Sequence, residues 1–156
     1  MCGIAGIVWT DDPAHSVDRG SLDRLTDSLA HRGPDGRGVL LDGPVGLGHR
    51  RLAILDLSDA GANPLRYQAP DGRTLWIAYN GEVYNFLELR RELESLGHAF
   101  RTATDTEVVA AAYAQWGEGC QERLNGMWAF AIWEPAGRSL FLSRDRFAIK
   151  PLYYLE

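Results

Sequence analysis

Short turns between apolar segments most restrict the folds open to this chain. The turn residues 42–44 separate "RGVLL" from "VGLGHR", the turn "PDG" at 70–72 precedes "TLWIAY", and "EPAG" joins "MWAFAIW" to "SLFLS". Connections this short join antiparallel strands, because parallel neighbours need a crossover of about a dozen residues or more. The pattern therefore predicts antiparallel sheets and argues against repeated βαβ units.

Helical periodicity interrupts these strands in three places. Leucines recur at helical spacing in "SLDRLTDSL", with Ser21 as the expected N-cap and Gly33 as the expected stop. The other two helices are predicted from capping-box spacing, at "NFLE" from Asn85 and at "TDTE" from Thr104. Gly97 is the expected end of the helix that begins at Asn85. The order strands, helix, strands, two helices, strands predicts an α+β fold of stacked layers in one domain.

Composition limits the classes of function. Sixteen basic residues against twenty-one acidic ones give a net charge of −5, without a basic block, which argues against nucleic acid as a partner. No apolar run reaches the ~20 residues of a membrane helix, and the first residues lack the features of a secretory signal. The four histidines are too far apart in sequence to suggest a metal site. We expect a cytoplasmic protein with no metal and no membrane partner.

The first residues, "MCGIAGIVW", place Cys2 directly after the initiator methionine. Removal of Met1 would give Cys2 a free α-amine beside its thiol, so one residue would supply both a nucleophile and a base with a pKa near ~8. Gly3 would let a substrate approach the backbone closely. The alternative is that Cys2 is a small apolar residue at the start of a buried strand.

The segment "YNGEVYN" contains hydrogen-bond donors that could stabilise the negative charge formed when a thiol attacks a carbonyl group. We expect the apolar strand to end at Asn80, so that the Asn80 side-chain amide and the Gly81 N–H converge on one point outside the sheet. Two donors so placed suit an oxyanion. The alternative is an ordinary Asn-Gly turn.

Eight motifs run through nearly the whole chain. They are "MCGIAGI", "HRGPDGRG", "LGHRRLAILDLS", "GANPL", "YNGEVYNFLELRREL", "TDTEV", "LNGMWAFAIW" and "SRDRFAIKPLYY". In this order they resemble the class II, N-terminal-nucleophile glutamine amidotransferase domain at the front of glutamine-hydrolysing asparagine synthetases. The resemblance implies a four-layer αββα sandwich, two antiparallel sheets flanked by helices, over residues 1–154. Leu155 and Glu156 are then expected to be a cloning remnant.

The resemblance also implies the reaction. Cys2 attacks the side-chain amide carbon of glutamine, Asn80 and Gly81 form the oxyanion hole, ammonia leaves, and water hydrolyses the thioester to glutamate. It gives no catalytic role to His31 or His49, although a Cys–His dyad would be the obvious alternative.

Substrate recognition is implied in the same way. Arg51 matches the arginine that pairs with the α-carboxylate of glutamine, which a guanidinium can bind through two hydrogen bonds. Asp105 matches the carboxylate that receives the α-ammonium, with Glu82 beside it, although an acid in the first turn of a helix also needs no ligand to explain it. Arg32 and Gly33 are expected to support the site without touching the substrate.

Three positions are expected to lie outside the glutamine site. Arg50 is expected to be a surface charge, and Cys120 a bystander thiol. Ala148 stands where the family commonly has glycine.

The resemblance implies partners that this sequence does not contain. The glutaminase domain itself is expected to need no cofactor, while ATP and magnesium belong to a C-terminal synthetase domain whose phosphate loop is missing from this sequence. The full-length protein is expected to form a homodimer.

Two other functions and one local alternative stay open. The chain could be a catalytically silent, glutamine-sensing or partner-binding module of the same fold, or it could serve a natural-product pathway with an acceptor other than aspartate. Residues 53–69, the longest irregular stretch, are either a binding loop or a surface excursion.

Overall fold

Two antiparallel sheets lie face to face between helices. The computed structural model describes residues 1–12, 14–54 and 61–156. Its elements are β1 (Gly3–Val8), α1 (Arg19–Ser28), β2 (Gly36–Asp42), β3 (Val45–Arg51), β4 (Leu65–Gln68), β5 (Thr74–Val83), α2 (Phe86–Ser95), α3 (Asp105–Trp116), a 3-10 helix (Gly117–Glu122), β6 (Gly126–Glu134) and β7 (Ser139–Arg144).

The first sheet has the strand order β1-β3-β2, and the second sheet has the order β4-β5-β6-β7. Neighbouring strands are antiparallel throughout both sheets. Helix α1 packs on the first sheet, α3 packs on β4 and β5 with α2 beside it, and β1 and β3 face β5. The layers therefore run helix, sheet, sheet, helix. This confirms the predicted αββα arrangement of antiparallel sheets.

Strand β3 shows how one sequence serves two packing surfaces. Val45 and Leu47 are buried against the second sheet, whereas Gly46 and Gly48 lie beneath α1. A Cβ on Gly48 would overlap the Thr26 side chain of α1, so only glycine allows this close approach. Alternation of large and absent side chains thus fits the strand to a sheet on one face and to a helix on the other.

The larger apolar cluster fills the space between the second sheet and the helices α2 and α3. Every residue of α3 from Asp105 to Ala114 is buried, so this helix is covered on nearly all sides. A helix in this position is expected to be apolar all round. Asp105 and Glu107 are buried charged residues of this helix, and each carboxylate therefore needs hydrogen-bond donors.

One predicted helix cap is wrong, and a second lies at the predicted position but makes no side-chain hydrogen bond to its helix. Asp18, not Ser21, caps α1, because its Oδ2 accepts the Ser21 N–H at 2.7 Å, and the helix ends well before Gly33. Asn85 does not cap α2 through its side chain. That amide instead donates to a carbonyl and accepts an N–H in the loop at 123–125, at 3.0 and 2.9 Å, and so ties the helix start to the strand that follows.

The third capping box is half formed. Thr104 accepts the Glu107 N–H at 3.4 Å, as predicted. The Glu107 carboxylate does not return a bond to Thr104 but accepts the N–H groups of Arg101 and Thr102, at 2.8 to 3.0 Å. The buried carboxylate thereby supplies acceptors for the backbone N–H groups of the turn that leads into the helix.

Strand β5 does not end where expected. It continues through Asn80 and Gly81 to Val83, because β6 supplies a partner for each residue as far as Gly126. Part of the 53–69 segment, predicted to be irregular, forms β4, and residues 55–60 lie outside the described residues.

The three described ranges contain no helix with the length and apolar character needed to cross a membrane.

Candidate active site

A cavity of about 280 Å³ opens where the interface between the two sheets ends. It is lined by residues of β3, β5, β6 and α3, by the first residues of the sequence before β1, by described residues between β3 and β4, and by the turn after β7. Among them are the six residues predicted to catalyse or to bind substrate, namely Cys2, Arg51, Asn80, Gly81, Glu82 and Asp105. The lining also includes residues that were not predicted to act, among them His49, Asn63, Tyr79, Met127 and Lys150.

The polar side chains of the site continue strand faces that are apolar deeper in the interface. Residues alternate along each strand, so every second side chain points at the opposite sheet. The inward sequence is Val45, Leu47, His49, Arg51 on β3 and Trp76, Ala78, Asn80, Glu82 on β5. The alternation that builds the apolar layer thus also delivers polar side chains to its end.

Cys2 stands at the start of β1 with its thiol against the backbone that leaves β3. Its Sγ accepts the Leu52 N–H at 3.4 Å and lies 3.6 Å from the Leu52 carbonyl oxygen. Arg32 Nε donates to the Cys2 carbonyl oxygen at 3.1 Å, so Arg32 holds the residue from behind the cavity. Gly3 has a packing role, and the expected close approach of a substrate to its backbone stays a prediction. A Cβ there would lie 2.9 Å from the Leu29 Cβ, so glycine lets α1 pack on β1.

The register of β5 fixes where the Gly81 N–H points. Gly81 opposes Trp128 of β6, whose N–H and C=O are both bonded on the far side, to Asp145, at 3.2 and 2.8 Å. In an antiparallel ladder such a pair exchanges no hydrogen bonds, so the Gly81 N–H points away from β6. Strand β4 pairs with β5 only as far as Ile77, so it does not cover this edge. The N–H therefore faces the cavity from a continuous strand rather than from a turn.

Two carboxylates lie together on the opposite side of the cavity. Asp105 Oδ2 accepts the Tyr79 hydroxyl at 2.7 Å and the Val83 N–H at 3.0 Å. Burial raises the pKa of Asp105, although these hydrogen bonds oppose the shift. Burial and the charge of Asp105 also raise the pKa of Glu82, and the Lys150 ammonium opposes this. The pair is a negative subsite next to two cations, Arg51 and Lys150.

The neighbouring arginines of β3 point to opposite faces. Arg51 lines the cavity, and Gly61 lies so close that a Cβ on it would overlap the guanidinium. Arg50 points to α1 and pairs with Asp27 at 3.2 Å with a side chain only 19% exposed, so the expectation of a surface charge is wrong. Gly33 packs directly on this backbone, since a Cβ there would lie 2.6 Å from the Arg51 nitrogen.

His49 lies in the site as a neutral ring. Its Nε2 donates to the Tyr79 carbonyl oxygen at 2.9 Å, and burial lowers its pKa to about 4. Within the described residues its Nδ1 has no hydrogen-bond partner, so it forms no dyad with Cys2. His31 is exposed, and its ring contacts the Ser28 carbonyl. Across the described part of the chain, no group of three or more His, Cys, Asp or Glu side chains could hold a metal ion.

The second thiol is in a different environment. Cys120 is fully buried in the 3-10 helix and does not line the cavity. Burial raises its pKa to about 12, so this sulfur stays protonated. The two cysteines therefore differ in both access and surroundings.

A turn after β7 brings Lys150 to the cavity. Asp145 accepts the N–H groups of Phe147, Ile149 and Lys150 at 2.9 to 3.1 Å. Burial alone would raise the pKa of Asp145, but these donors outweigh it and lower the pKa. Ala148, within the turn, has a φ of 53°, a left-handed conformation that favours glycine.

Tyr79, His49 and Lys150 line the cavity but were not predicted to be residues of the site. Alternation from Arg51 along β3 would have placed His49 on the same face, which is a signal present in the sequence. Tyr79 and Lys150 carry no comparable signal. Tyr79 lies on β5 and is held at the cavity by its hydrogen bond to Asp105 of α3. Lys150 is placed there by a turn whose N–H groups bond to Asp145.

Two solved structures share this fold. One is a glutamine phosphoribosylpyrophosphate (PRPP) amidotransferase from B. subtilis complexed with ADP and GMP, with a TM-score of 0.71 and 22% identity over 93% of this chain and 37% of that one. The other, described as the allosteric regulatory enzyme of purine biosynthesis, has a TM-score of 0.59 and 25% identity over 70% of this chain and 25% of that one. These likenesses support the fold.

Sequence relatives extend the comparison to the whole chain. Asparagine synthetase [glutamine-hydrolyzing] 1 of Bacillus subtilis is 43% identical over 155 residues, which are 99% of this chain and 24% of that protein. A putative asparagine synthetase [glutamine-hydrolyzing] 2 of Methanocaldococcus jannaschii is 38% identical over 99% of this chain and 32% of that protein. The chain thus spans about a quarter to a third of these relatives. The model of the glutamine amidotransferase domain family matches residues 1–156, and the chain belongs to that family.

Proposed function

We propose that this chain hydrolyses the side-chain amide of glutamine, with Cys2 as the nucleophile. The observation that supports the proposal is that the Cys2 thiol, Asn80, Gly81 and side chains of both charges line one cavity. The relatives are named as glutamine-hydrolysing, which supports the same substrate. Removal of Met1 is part of the proposal, because a nitrogen held in the Met1–Cys2 peptide bond cannot accept a proton.

The proposed reaction uses two functional groups of one residue. The α-amine of Cys2 takes the thiol proton as Sγ attacks the amide carbon, so a C–S bond forms and the carbonyl becomes an oxyanion. The Asn80 side chain and the Gly81 N–H stabilise this charge, and loss of one such donor typically costs ~10²–10³ in rate. The C–N bond then breaks as the amine returns the proton to the leaving ammonia. Water hydrolyses the thioester to glutamate and regenerates the thiol.

Selectivity for glutamine is proposed to come from its two charged groups. Arg51 would bind the α-carboxylate, and Asp105 with Glu82 would bind the α-ammonium. Arg32 and Gly33 would support the nucleophile and the Arg51 backbone from behind. This assignment puts opposite charges of the substrate against opposite charges of the cavity.

The fate of the ammonia is also a proposal. We infer transfer to an ATP- and magnesium-dependent acceptor site in a C-terminal synthetase domain, because the relatives are asparagine synthetases and this chain matches only part of their length. Aspartate is the expected acceptor, and a natural-product amidotransferase with another acceptor is the alternative. A homodimer and a cytoplasmic location stay predictions from the sequence.

The proposed function can be tested with an electrophilic glutamine mimic. The chain lacking Met1, verified by intact mass, should release glutamate from glutamine and should take up one equivalent of 6-diazo-5-oxo-norleucine on Cys2. Peptide mapping distinguishes Cys2 from Cys120, the buried control thiol. Full activity in protein that retains Met1 would refute the proposed base. Binding of glutamine without turnover in the processed chain would support the silent module instead.

A further inference from the structure

Tyr79 joins three separate elements around the cavity. It lies on β5 and is 4% exposed. Its carbonyl oxygen accepts from His49 of β3 at 2.9 Å, and its hydroxyl donates to Asp105 of α3 at 2.7 Å. Burial, reinforced by the charge of Asp105, raises the pKa of the Tyr79 hydroxyl well above its usual value, so the group stays a donor.

The Tyr79 hydroxyl acts on a carboxylate that is already constrained. The Val83 N–H donates to the same oxygen of Asp105 at 3.0 Å. Two donors on one oxygen fix the rotation of the carboxylate, and a carboxylate has about four lone-pair sites, so acceptor capacity remains for a ligand. The Val83 donor belongs to the backbone of β5, and only proline would remove it, at the cost of disrupting the strand. The hydroxyl can be removed alone, by Tyr79→Phe.

The hydroxyl also affects the charge of Asp105. The side chain is 5% exposed, and burial raises its pKa, while the Tyr79 hydroxyl lowers it. The other titratable groups at this cavity are the side chains of Arg51, Glu82, Lys150, His49 and Cys2, and the α-amine of the first residue. Without the hydroxyl, Asp105 would take up a proton at a higher pH, and a neutral carboxyl attracts an ammonium group less.

We propose that Tyr79 determines specificity, as a positioning residue whose hydroxyl holds Asp105 in the orientation that recognises the α-ammonium of the substrate. The proposal rests on the proposed function, since it assigns that ammonium to Asp105. It predicts that the hydroxyl is needed to tell glutamine from an amide of the same length that has no α-amino group. Tyr79→Phe removes only the hydroxyl and keeps the ring that packs against Gly81, so we expect the nucleophile and the oxyanion donors to stay in place.

The test compares Tyr79→Phe with Tyr67→Phe in the chain lacking Met1. Tyr67 is a matched control, because it is 2% exposed on the neighbouring strand β4, has a hydroxyl 2.7 Å from His98 Nδ1, and does not line the cavity. Each variant is assayed with glutamine and with glutaramate, which is glutamine without its α-amino group. For Tyr79→Phe we expect the KM for glutamine to rise on the order of tenfold, with kcat within about twofold. The kcat/KM for glutaramate should be unchanged, and Tyr67→Phe should alter neither substrate.

The pH profile gives a second readout. As pH falls, glutamine binding should be lost at a higher pH in Tyr79→Phe than in the parent chain, because Asp105 becomes protonated earlier. The glutaramate profile should not move. An equal loss on both substrates would mean that the hydroxyl only supports the fold, and no loss on either would mean that Asp105 is held without it. Both results overturn the proposal.

A binding measurement separates this proposal from glutamine hydrolysis itself. Calorimetry on Cys2→Ala and on Cys2→Ala combined with Tyr79→Phe needs no turnover. If the parent chain releases no glutamate but the hydroxyl still sets the preference for glutamine over glutaramate, hydrolysis fails and the role of Tyr79 stands. If glutamate is released and the preference does not change, the role of Tyr79 fails alone.

Discussion

The two faces of the second sheet contrast in what they bury. The face toward α2 and α3 covers the larger apolar cluster, which includes the fully buried Phe130, Ile132 and Leu93. The face toward the first sheet covers a small cluster around Val45 and Leu47, and this cluster ends at the cavity. We infer that the helix side supplies most of the hydrophobic stability. Because the fold depends less on the layer between the sheets, one end of that layer can contain polar side chains and form the site.

The largest expected effect uses the two cysteines, one from each side of this comparison. Cys2→Ala should lower glutamine turnover by about 10⁴-fold or more, because the nucleophile is lost, with little change in stability. Cys120→Ala should do the opposite, keeping turnover and costing about 1 kcal/mol, because it removes a buried sulfur from the helix side. Glutamate release and urea denaturation measure the two quantities. The contrast would fail if Cys120→Ala also abolished turnover in folded protein.

The next effect concerns the seat of α1 on the first sheet. Gly48→Ala should destabilise the fold by about 2–3 kcal/mol, because the new Cβ overlaps the Thr26 side chain and pushes the helix outward. Gly119→Ala is the matched control, since a Cβ there meets nothing within 4 Å. Chemical denaturation should show a change of under about 0.5 kcal/mol for the control. Similar losses in both variants would show that close packing of α1 is not what position 48 requires.

Acid should lower the stability of the fold by protonating His49, which is buried between the two sheets. Burial lowers the pKa of His49 to about 4, whereas the unfolded chain takes up this proton near 6.5. The contribution to stability is therefore fully present above pH 6.5 and is lost as pH falls toward 4, by about 2 kcal/mol between pH 7.5 and pH 5. His49→Gln should flatten the dependence of the urea midpoint on pH across this window. The exposed His31→Gln should keep the slope of the parent chain, and an unchanged slope in His49→Gln would contradict the assignment.

The smallest expected effect is at the turn that carries Lys150. Ala148 has a left-handed backbone, so Ala148→Gly should stabilise the fold by about 0.5 kcal/mol, the relief of strain slightly exceeding the added entropy of the unfolded chain. Ala103→Gly, in an exposed loop without a positive φ, should destabilise slightly because only the entropy term acts there. Thermal melts of both variants test the difference in sign. A stability loss in Ala148→Gly would mean that the left-handed conformation carries little strain.

The sequence predicted most of the fold because its signals are local. Turn residues at 42–44 and 134–137 predicted two of the antiparallel pairs, and the periodic apolar residues predicted the helices. The turn at 70–72 marked the start of β5, but its partner β4 lies in a stretch that was predicted to be irregular. The N-cap prediction failed at Ser21, since several polar side chains near a helix start can accept its free N–H groups and packing selects among them. At Asn85 the position was right, but the side chain bonds to the loop at 123–125 instead of to the helix. The strand end expected at Asn80 failed because β6, distant in sequence, continues the ladder.

The sequence by itself determined which chemical groups are present and, through the motif order, which six residues belong in one site. The tertiary structure decided how they meet. The register of β5 on β6 points the Gly81 N–H away from β6 and toward the cavity. Packing buries His49 as a neutral ring and places the Tyr79 hydroxyl against Asp105. These features depend on pairings between segments far apart in the chain. Local periodicity carries no information about such pairings, because the energy that selects them comes from burial and hydrogen bonding formed only when the layers close.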